Sequence, residues 1–278
     1  MTTDRSVKEG KRPYPPEHLS SSSVGLLTDC SKLWEAKYRR GLEETRSGAL
    51  ILGSAFDSAV EWALRERWDG RWFTTEQLAS RFGAAWDAQL QRPGGVEWGT
   101  RGQQPTFDDG LALCQAPATL AALRGAQLAP HPDNIDAPAL QVEVKLAVPG
   151  VSVPIIGFID AILKTPTGIS VVDFKTARRA WAKGRERKEL QARIYLAALW
   201  QRGEPFPRLT SAYWIFLPGA TPEACRVQRL EPGLTERDIL LSVDMLRRAW
   251  RQIEAGTFVG NPHSFRCNEL CPCWHECF

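Results

Sequence analysis

The chain has 278 residues, 43% hydrophobic and 24% charged, which is an ordinary globular balance with enough apolar side chains for one large core. A formal net charge of +3 is too small to announce a nucleic-acid binder by itself, so any such role has to be read from local charge. No run of about 18 apolar residues occurs, and the opening MTTDRSVKEGKRPYPPEH holds no secretory signal, so a soluble, cytoplasmic protein with no membrane association is expected.

Taken in chain order, residues 1–18 are rich in proline and charge and read as a disordered arm. LSSSSVGLLTDCSKLWEAKYRRG (19–41) offers serines to cap a helix and apolar residues at helical spacing. GALILGSAFDSAVEWALRERW (48–68) is an amphipathic helix with Leu52, Phe56, Val60 and Ala63 or Leu64 on one stripe, and Asp57 and Glu61 share a neighbouring face. Residues 69–130 are helical with loops, broken at QRPGGVEWGTRGQQP.

The texture changes near residue 140. LQVEVKLAVPGVSVPIIGFIDAILKTPTGISVVDFKTA is rich in β-branched residues and punctuated by Pro-Gly and TPTG, which predicts three antiparallel strands. A helix over 184–201, a strand at SAYWIFLP and a helix ending at Gly256 follow. Together these elements predict an α/β core sheet flanked by helices, with an N-terminal helical portion packed on it.

Within that sheet, GISVVDFKT places Asp173 and Lys175 in an otherwise apolar strand, where an uncompensated charge costs several kcal/mol, comparable to a domain's stability margin. With the turn centred between Pro166 and Thr167, positions summing to 333 face each other, so Asp160 opposes Asp173 at a Cβ separation of about 5 Å. A divalent cation between the acids would relieve their repulsion. Lys175, two residues on, shares the face of Asp173, and Glu143 on the preceding strand is a candidate further oxygen. Oxygens on a metal beside a lysine suit phosphodiester hydrolysis, whereas a strand-end ion pair between Asp173 and Lys175 is the plain alternative. The segment that follows, with Arg178, Arg179, Lys183 and Arg185 around Trp181, could neutralise phosphates and stack on a base, or be a solvated basic loop. Gln191 and Tyr195 lie one turn apart on the next helix.

Of seven cysteines, Cys267, Cys271, Cys273 and Cys277 crowd the last residues. In a reducing compartment such clustering points to metal ligation, by zinc or by iron and sulfide, in place of disulfides. Cys114 and Cys225 read as small buried apolar residues.

GFID (157–160), VVDFKT (171–176) and QARIY (191–195) resemble, in order and spacing, the core motifs of RecB-like nucleases of the PD-(D/E)XK superfamily, and LTDCSKLWEAKY with the terminal cysteines resembles its iron-sulfur exonuclease branch, which includes the CRISPR-associated RecB-type, AddB-type and phage exonucleases. The resemblance implies a restriction-endonuclease-like mixed sheet core flanked by helices. Its divisions would be an N-terminal helical region at 19–135, the nuclease core at 136–260, and a C-terminal cysteine cluster at 261–278 that closes with Cys30. It implies Asp160 and Asp173 as ligands of Mg2+ or Mn2+, Lys175 as the catalytic lysine, and Gln191 and Tyr195 as auxiliary residues near DNA. The family usually has a histidine ligand in a Gly-x-x-x-His motif; GSAFD (53–57) puts Asp57 there, with Glu61 a turn later as a substitute. Cys30, Cys267, Cys271 and Cys277 would hold a [4Fe-4S] cluster, with Zn2+ as the alternative. The activity implied is a metal-dependent DNA exonuclease on single-stranded ends, in repair, recombination or phage DNA processing, with a helicase or recombination protein as partner. A non-catalytic DNA-binding subunit and a zinc-containing RNA nuclease are the competing readings.

Overall fold

The computed structural model describes residues 13–42, 45–206, 208–264, 266–267 and 271–277. Two short helices open it, α1 (Ser21–Asp29) and α2 (Ser31–Tyr38), where the sequence suggested one. The break is Cys30, which turns to an extended backbone (φ −148°, ψ 99°). Ser20 caps α1 through its side chain, reciprocated by Ser23, which satisfies two otherwise orphaned donors. After a two-residue strand, β1 (Arg46–Ser47), comes the long helix α3 (Gly48–Trp68), with Leu52, Phe56, Val60 and Leu64 all buried as the periodicity required. Helix α4 (Thr75–Leu90), β2 (Val96–Glu97), α5 (Gln103–Gln115) and α6 (Pro117–Gly125) complete the first half.

The second half begins with the small ladder β3 (Pro130–His131) and β4 (Asn134–Pro138). Then come β5 (Leu140–Leu146), β6 (Ile155–Thr165), β7 (Gly168–Thr176), α7 (Leu190–Gln201), β8 (Leu209–Leu217), β9 (Arg226–Leu230), α8 (Glu236–Ala255) and the short α9 (Trp274–Cys277). Strands β5 to β9 form one sheet in sequence order. The first three are antiparallel, as expected, while β7 and β8 run parallel because α7 carries the chain back across the sheet. The register of β6 on β7, from Ala161 against Val172 to Thr165 against Gly168, is the one the turn at 166–167 dictated. Sequence reading missed β9, a short edge strand of sequence RVQRL with little apolar signal.

Helices cover both faces of this sheet. Val142, Ile159, Ile162 and Val171 pack with α1, α2, α7 and α8. Leu140, Ala161, Val172 and Phe174 pack with α3 to α6 on the other side. These memberships reveal a slip in the pleat: Leu140 and Val142 should share a face, as should Ile159 and Ala161, yet each pair is divided between the two cores. The rung where alternation reverses is Gln141 opposite Asp160, and Gln141 adopts φ +50°, the left-handed region that costs a non-glycine residue about 1 kcal/mol or more. Such an irregularity re-aims a side chain, here beside the acids.

Two expectations need correcting. Residues 1–12 of the expected arm lie outside the described residues, but the remainder is not loose: the Tyr14 hydroxyl donates to the Ile253 carbonyl and its ring lies 4.6 Å from the Arg39 guanidinium. The helix expected over 184–201 begins only at Leu190, because Gly184 has φ +89° and its N–H donates to the Glu186 carboxylate, closing a turn.

Candidate active site

Continuing the β6/β7 register by one rung sets Asp160 across from Asp173. The Phe174 N–H donates to Asp160 Oδ2 at 2.7 Å, tying that carboxylate to the neighbouring strand. Asp173 is 3% exposed, and its Oδ2 lies 2.5 Å from Lys175 Nζ. Helix α3 brings Asp57 to the same cluster, where Gln141 Nε2 donates to Asp57 Oδ2 at 3.3 Å. Three acids therefore gather around one ammonium.

Their protonation reflects that crowding. Burial, followed by repulsion from Glu61 and Asp173, pushes the Asp57 carboxyl up to about 6. Burial also raises Asp160 well above the carboxylate range, with Asp173 and Asp57 adding to the effect. Asp173 is raised by burial against the pull of Lys175. Burial works against the Lys175 ammonium, yet Asp173 and Asp160 outweigh it and its pKa goes up. The site thus holds three buried carboxyl groups that crowding pushes toward their neutral forms, beside one fixed cation.

A hydrogen-bonded chain holds that cation from the far side. Lys175 Nζ donates to Gln191 Oε1 at 3.3 Å, Gln191 Nε2 donates to the Tyr195 hydroxyl at 2.7 Å, and that hydroxyl donates to the Phe158 carbonyl at 2.5 Å. The tyrosine orients the amide, so the amide can present only its oxygen to the lysine. A groove of about 720 Å³ runs past Gln191 and is lined also by Lys37, Tyr38, Lys188 and Arg193.

Some expected members are elsewhere. Glu143 is exposed and pairs with Lys145 at 3.1 Å, because it lies beyond the Gln141 slip and faces out. Glu61 is engaged by both Nε and Nη2 of Arg65, at 3.0 and 2.8 Å, so it acts on Asp57 by charge and is no free substitute ligand. Trp181 is 7% exposed and cannot offer a base a stacking face: it packs on Tyr213, Ala192 and Ile215 and carries the Arg185 guanidinium 4.1 Å from its ring centre. Gln228 clamps its backbone, accepting from the Trp181 N–H at 2.8 Å and donating to its carbonyl at 3.0 Å. Arg178, Arg179, Lys183 and Arg185 are exposed around it. A neighbour of the acids that sequence reading missed is Gln141, whose only local signal was its position across from Asp160.

Among the described residues no three Cys, His, Asp or Glu groups stand close enough together to coordinate one metal ion as they are. The acids nonetheless fit a hard dication. Asp57 Oδ1 and Asp173 Oδ1 are buried with no hydrogen-bond partner, an expensive condition that an oxygen-seeking cation would relieve.

Cys30, Cys267, Cys271, Cys273 and Cys277 line a second cavity of about 460 Å³, which shares Arg266 with the groove. Its walls join the chain termini: Ser31 Oγ donates to the Val259 carbonyl, Asn261 Nδ2 donates to the Asp29 carbonyl, and Ser264 Oγ donates to Asp29 Oδ2. Burial raises the Cys277 thiol, and Cys30, Cys271 and Cys267 add to the rise. Cys273 is pushed up to about 11 by burial and then Glu276, and it accepts a long hydrogen bond of 3.7 Å from Arg40. Cys114 and Cys225 are buried among apolar neighbours, as expected.

No helix among the described residues is long and apolar enough to cross a membrane. No curated protein matches the chain. Among solved structures, the one described as "Crystal structure of SSO0001" is similar over 86% of this chain and 89% of that one, at 16% identity and a TM-score of 0.30, too loose a likeness to bear on function. A model of the PD-(D/E)XK nuclease superfamily matches residues 18–278. That match runs through every strand of the sheet and all three buried acids, and by it the chain belongs to the PD-(D/E)XK nuclease superfamily.

Proposed function

We propose that the protein is a metal-dependent DNA exonuclease acting on single-stranded ends, with Mg2+ or Mn2+ held by Asp57, Asp160 and Asp173. The observation that carries this reading is the pair of opposed acids on β6 and β7, one of them 2.5 Å from a lysine that is itself held by Gln191. A bound dication would supply positive charge for the phosphate and a water of lowered pKa. Lys175 then has a defined task, since its ammonium is anchored beside the reacting centre and can hold a phosphate oxygen as charge develops. Gln191 and Tyr195 are positioning residues that keep it there. The groove past Gln191, with Lys37, Lys188 and Tyr38 on its walls, supports a path for one strand, and Arg178, Arg179, Lys183 and Arg185 support contacts to its phosphates.

The cysteine cavity supports a structural soft-metal centre. Cys30, Cys267, Cys271 and Cys277 line one cavity and support a ligand set, while Cys273 on the same wall is engaged by Arg40. Thiolates serve either a [4Fe-4S] cluster or Zn2+, and the resemblance to iron-sulfur exonucleases favours the former. Repair, recombination or phage DNA processing, with a helicase or recombination protein as partner, is the setting this activity would suit.

A second reading rests on Asp57 standing where the family usually has histidine: a DNA-binding subunit without turnover. End-labelled single-stranded DNA and RNA, incubated with the protein and Mn2+ or Mg2+, separate the two. Stepwise release of nucleotides from DNA, abolished by Lys175→Ala, supports the exonuclease. Tight DNA binding with no product under either metal supports the subunit, and cleavage confined to RNA contradicts both.

A further inference from the structure

The motifs of the site account for neither the backbone nor the side chain of Gln141. Among the described residues it is the one non-glycine with positive φ, at +50°, at the second position of β5, where Leu140 and Val142 point into opposite cores. Glutamine does not favour that conformation, so the surrounding structure enforces it. The result is an amide placed against an acid from a different layer: Nε2 donates to Asp57 Oδ2 at 3.3 Å, whereas Asp57 Oδ1 stays buried and without a partner. A carboxylate only accepts, which fixes the amide with its nitrogen toward Asp57.

We propose that Gln141 is a positioning residue for the divalent cation, occupying one oxygen of Asp57 so that the other is presented to the metal in a fixed direction. The inference rests on the metal-binding reading of the three acids. A neutral amide suits the task. A lysine at this position would neutralise the acid and exclude a cation, and a second carboxylate would repel the Asp57 carboxylate and compete with it as a ligand. Partners that orient a ligand in this way typically change metal affinity by about tenfold to a hundredfold when removed.

The test is calorimetric titration of Mn2+ into the full chain without DNA, so that turnover plays no part. Gln141→Gly removes the amide and accepts φ +50° without strain, so its thermal midpoint is expected to equal or exceed that of the parent while Mn2+ affinity falls roughly tenfold. Asp57→Asn should lower affinity as well, and adding Gln141→Gly to it should cause no further loss, since Gln141 acts through Asp57. Should Gln141→Gly fail to fold, Gln141→Asn, which tolerates left-handed backbone and is one methylene too short, makes the same comparison. Unchanged Mn2+ affinity in a folded variant, or a full additional loss in the Asp57→Asn background, overturns the proposal and leaves the metal site standing. A parent chain that binds no Mn2+ overturns the metal reading too.

Discussion

Gly157 has no side chain because Tyr195 occupies that space: a Cβ on Gly157 would lie 2.5 Å from Tyr195 Cε1. This single contact joins two motifs that are far apart in sequence, the strand bearing Asp160 and the helix bearing Gln191. It lets the tyrosine hydroxyl reach the Phe158 carbonyl and, from there, orient Gln191 toward Lys175. The glycine is therefore a packing requirement of the lysine's hydrogen-bond chain.

Gly157→Ala should push the Tyr195 ring aside, costing about 1–3 kcal/mol of stability as an overpacked core does. Nuclease rate should fall further than that loss of folded protein explains, because Lys175 loses its fixed partner. Tyr195→Phe is the milder counterpart: it removes one hydroxyl, leaves the ring in place, and should cost about 1–3 kcal/mol through the unsatisfied Phe158 carbonyl and the loosened amide. Comparing thermal midpoints with DNA-cleavage rates for the two variants checks both; a Gly157→Ala protein with full stability and full activity would contradict the contact.

Acidity gives a second check. In the metal-free chain the Asp57 carboxyl titrates near 6, against 3.8 for a free one. Below about pH 4 both folded and unfolded chains hold that proton, so the stabilising contribution is complete there. As pH rises the unfolded chain releases its proton first, and the contribution is lost through pH 6, an effect on the order of 3 kcal/mol at most. Urea midpoints in EDTA, measured from pH 4 to 7.5 as a difference between the parent and Asp57→Asn, should show the parent losing ground as pH rises. A flat or opposite difference contradicts the buried-acid account.

The basic segment after β7 should divide into two behaviours. Trp181→Ala empties a core position and should destabilise the fold by about 3–5 kcal/mol. Arg178→Ala and Arg179→Ala should leave the thermal midpoint nearly unchanged while weakening binding to single-stranded DNA and flattening its salt dependence, by roughly 0.7 in slope for each phosphate that is no longer neutralised. Fluorescence anisotropy at several salt concentrations measures this. Equal salt slopes in parent and variants would remove these arginines from the interface.

What could be read in the sequence, and what could not, divides along physical lines. The β5–β7 meander was legible because β-branched runs between Pro-Gly and TPTG leave little freedom, and the turn alone set Asp160 against Asp173. Helix α3 was legible for the same reason, from its apolar stripe. Trp181 was misread because its neighbours in sequence are charged, while the apolar wall that buries it comes from Tyr213 and Ile215 on a later strand. The halt at Cys30 and the left-handed Gln141 leave no trace in composition, since neither is glycine, asparagine or proline; both conformations are imposed by tertiary packing. Glu143 was a candidate only because it lies on the neighbouring strand, and in the structure it is exposed and pairs with Lys145.

The central claim is that Asp57, Asp160 and Asp173 surround a divalent cation. Crystals of the protein soaked in Mn2+ test it through anomalous scattering. A manganese peak within bonding distance of Asp160 and Asp173 carboxylate oxygens, with Asp57 Oδ1 facing it, is the predicted result. A map with no peak among these acids at saturating Mn2+ would contradict it.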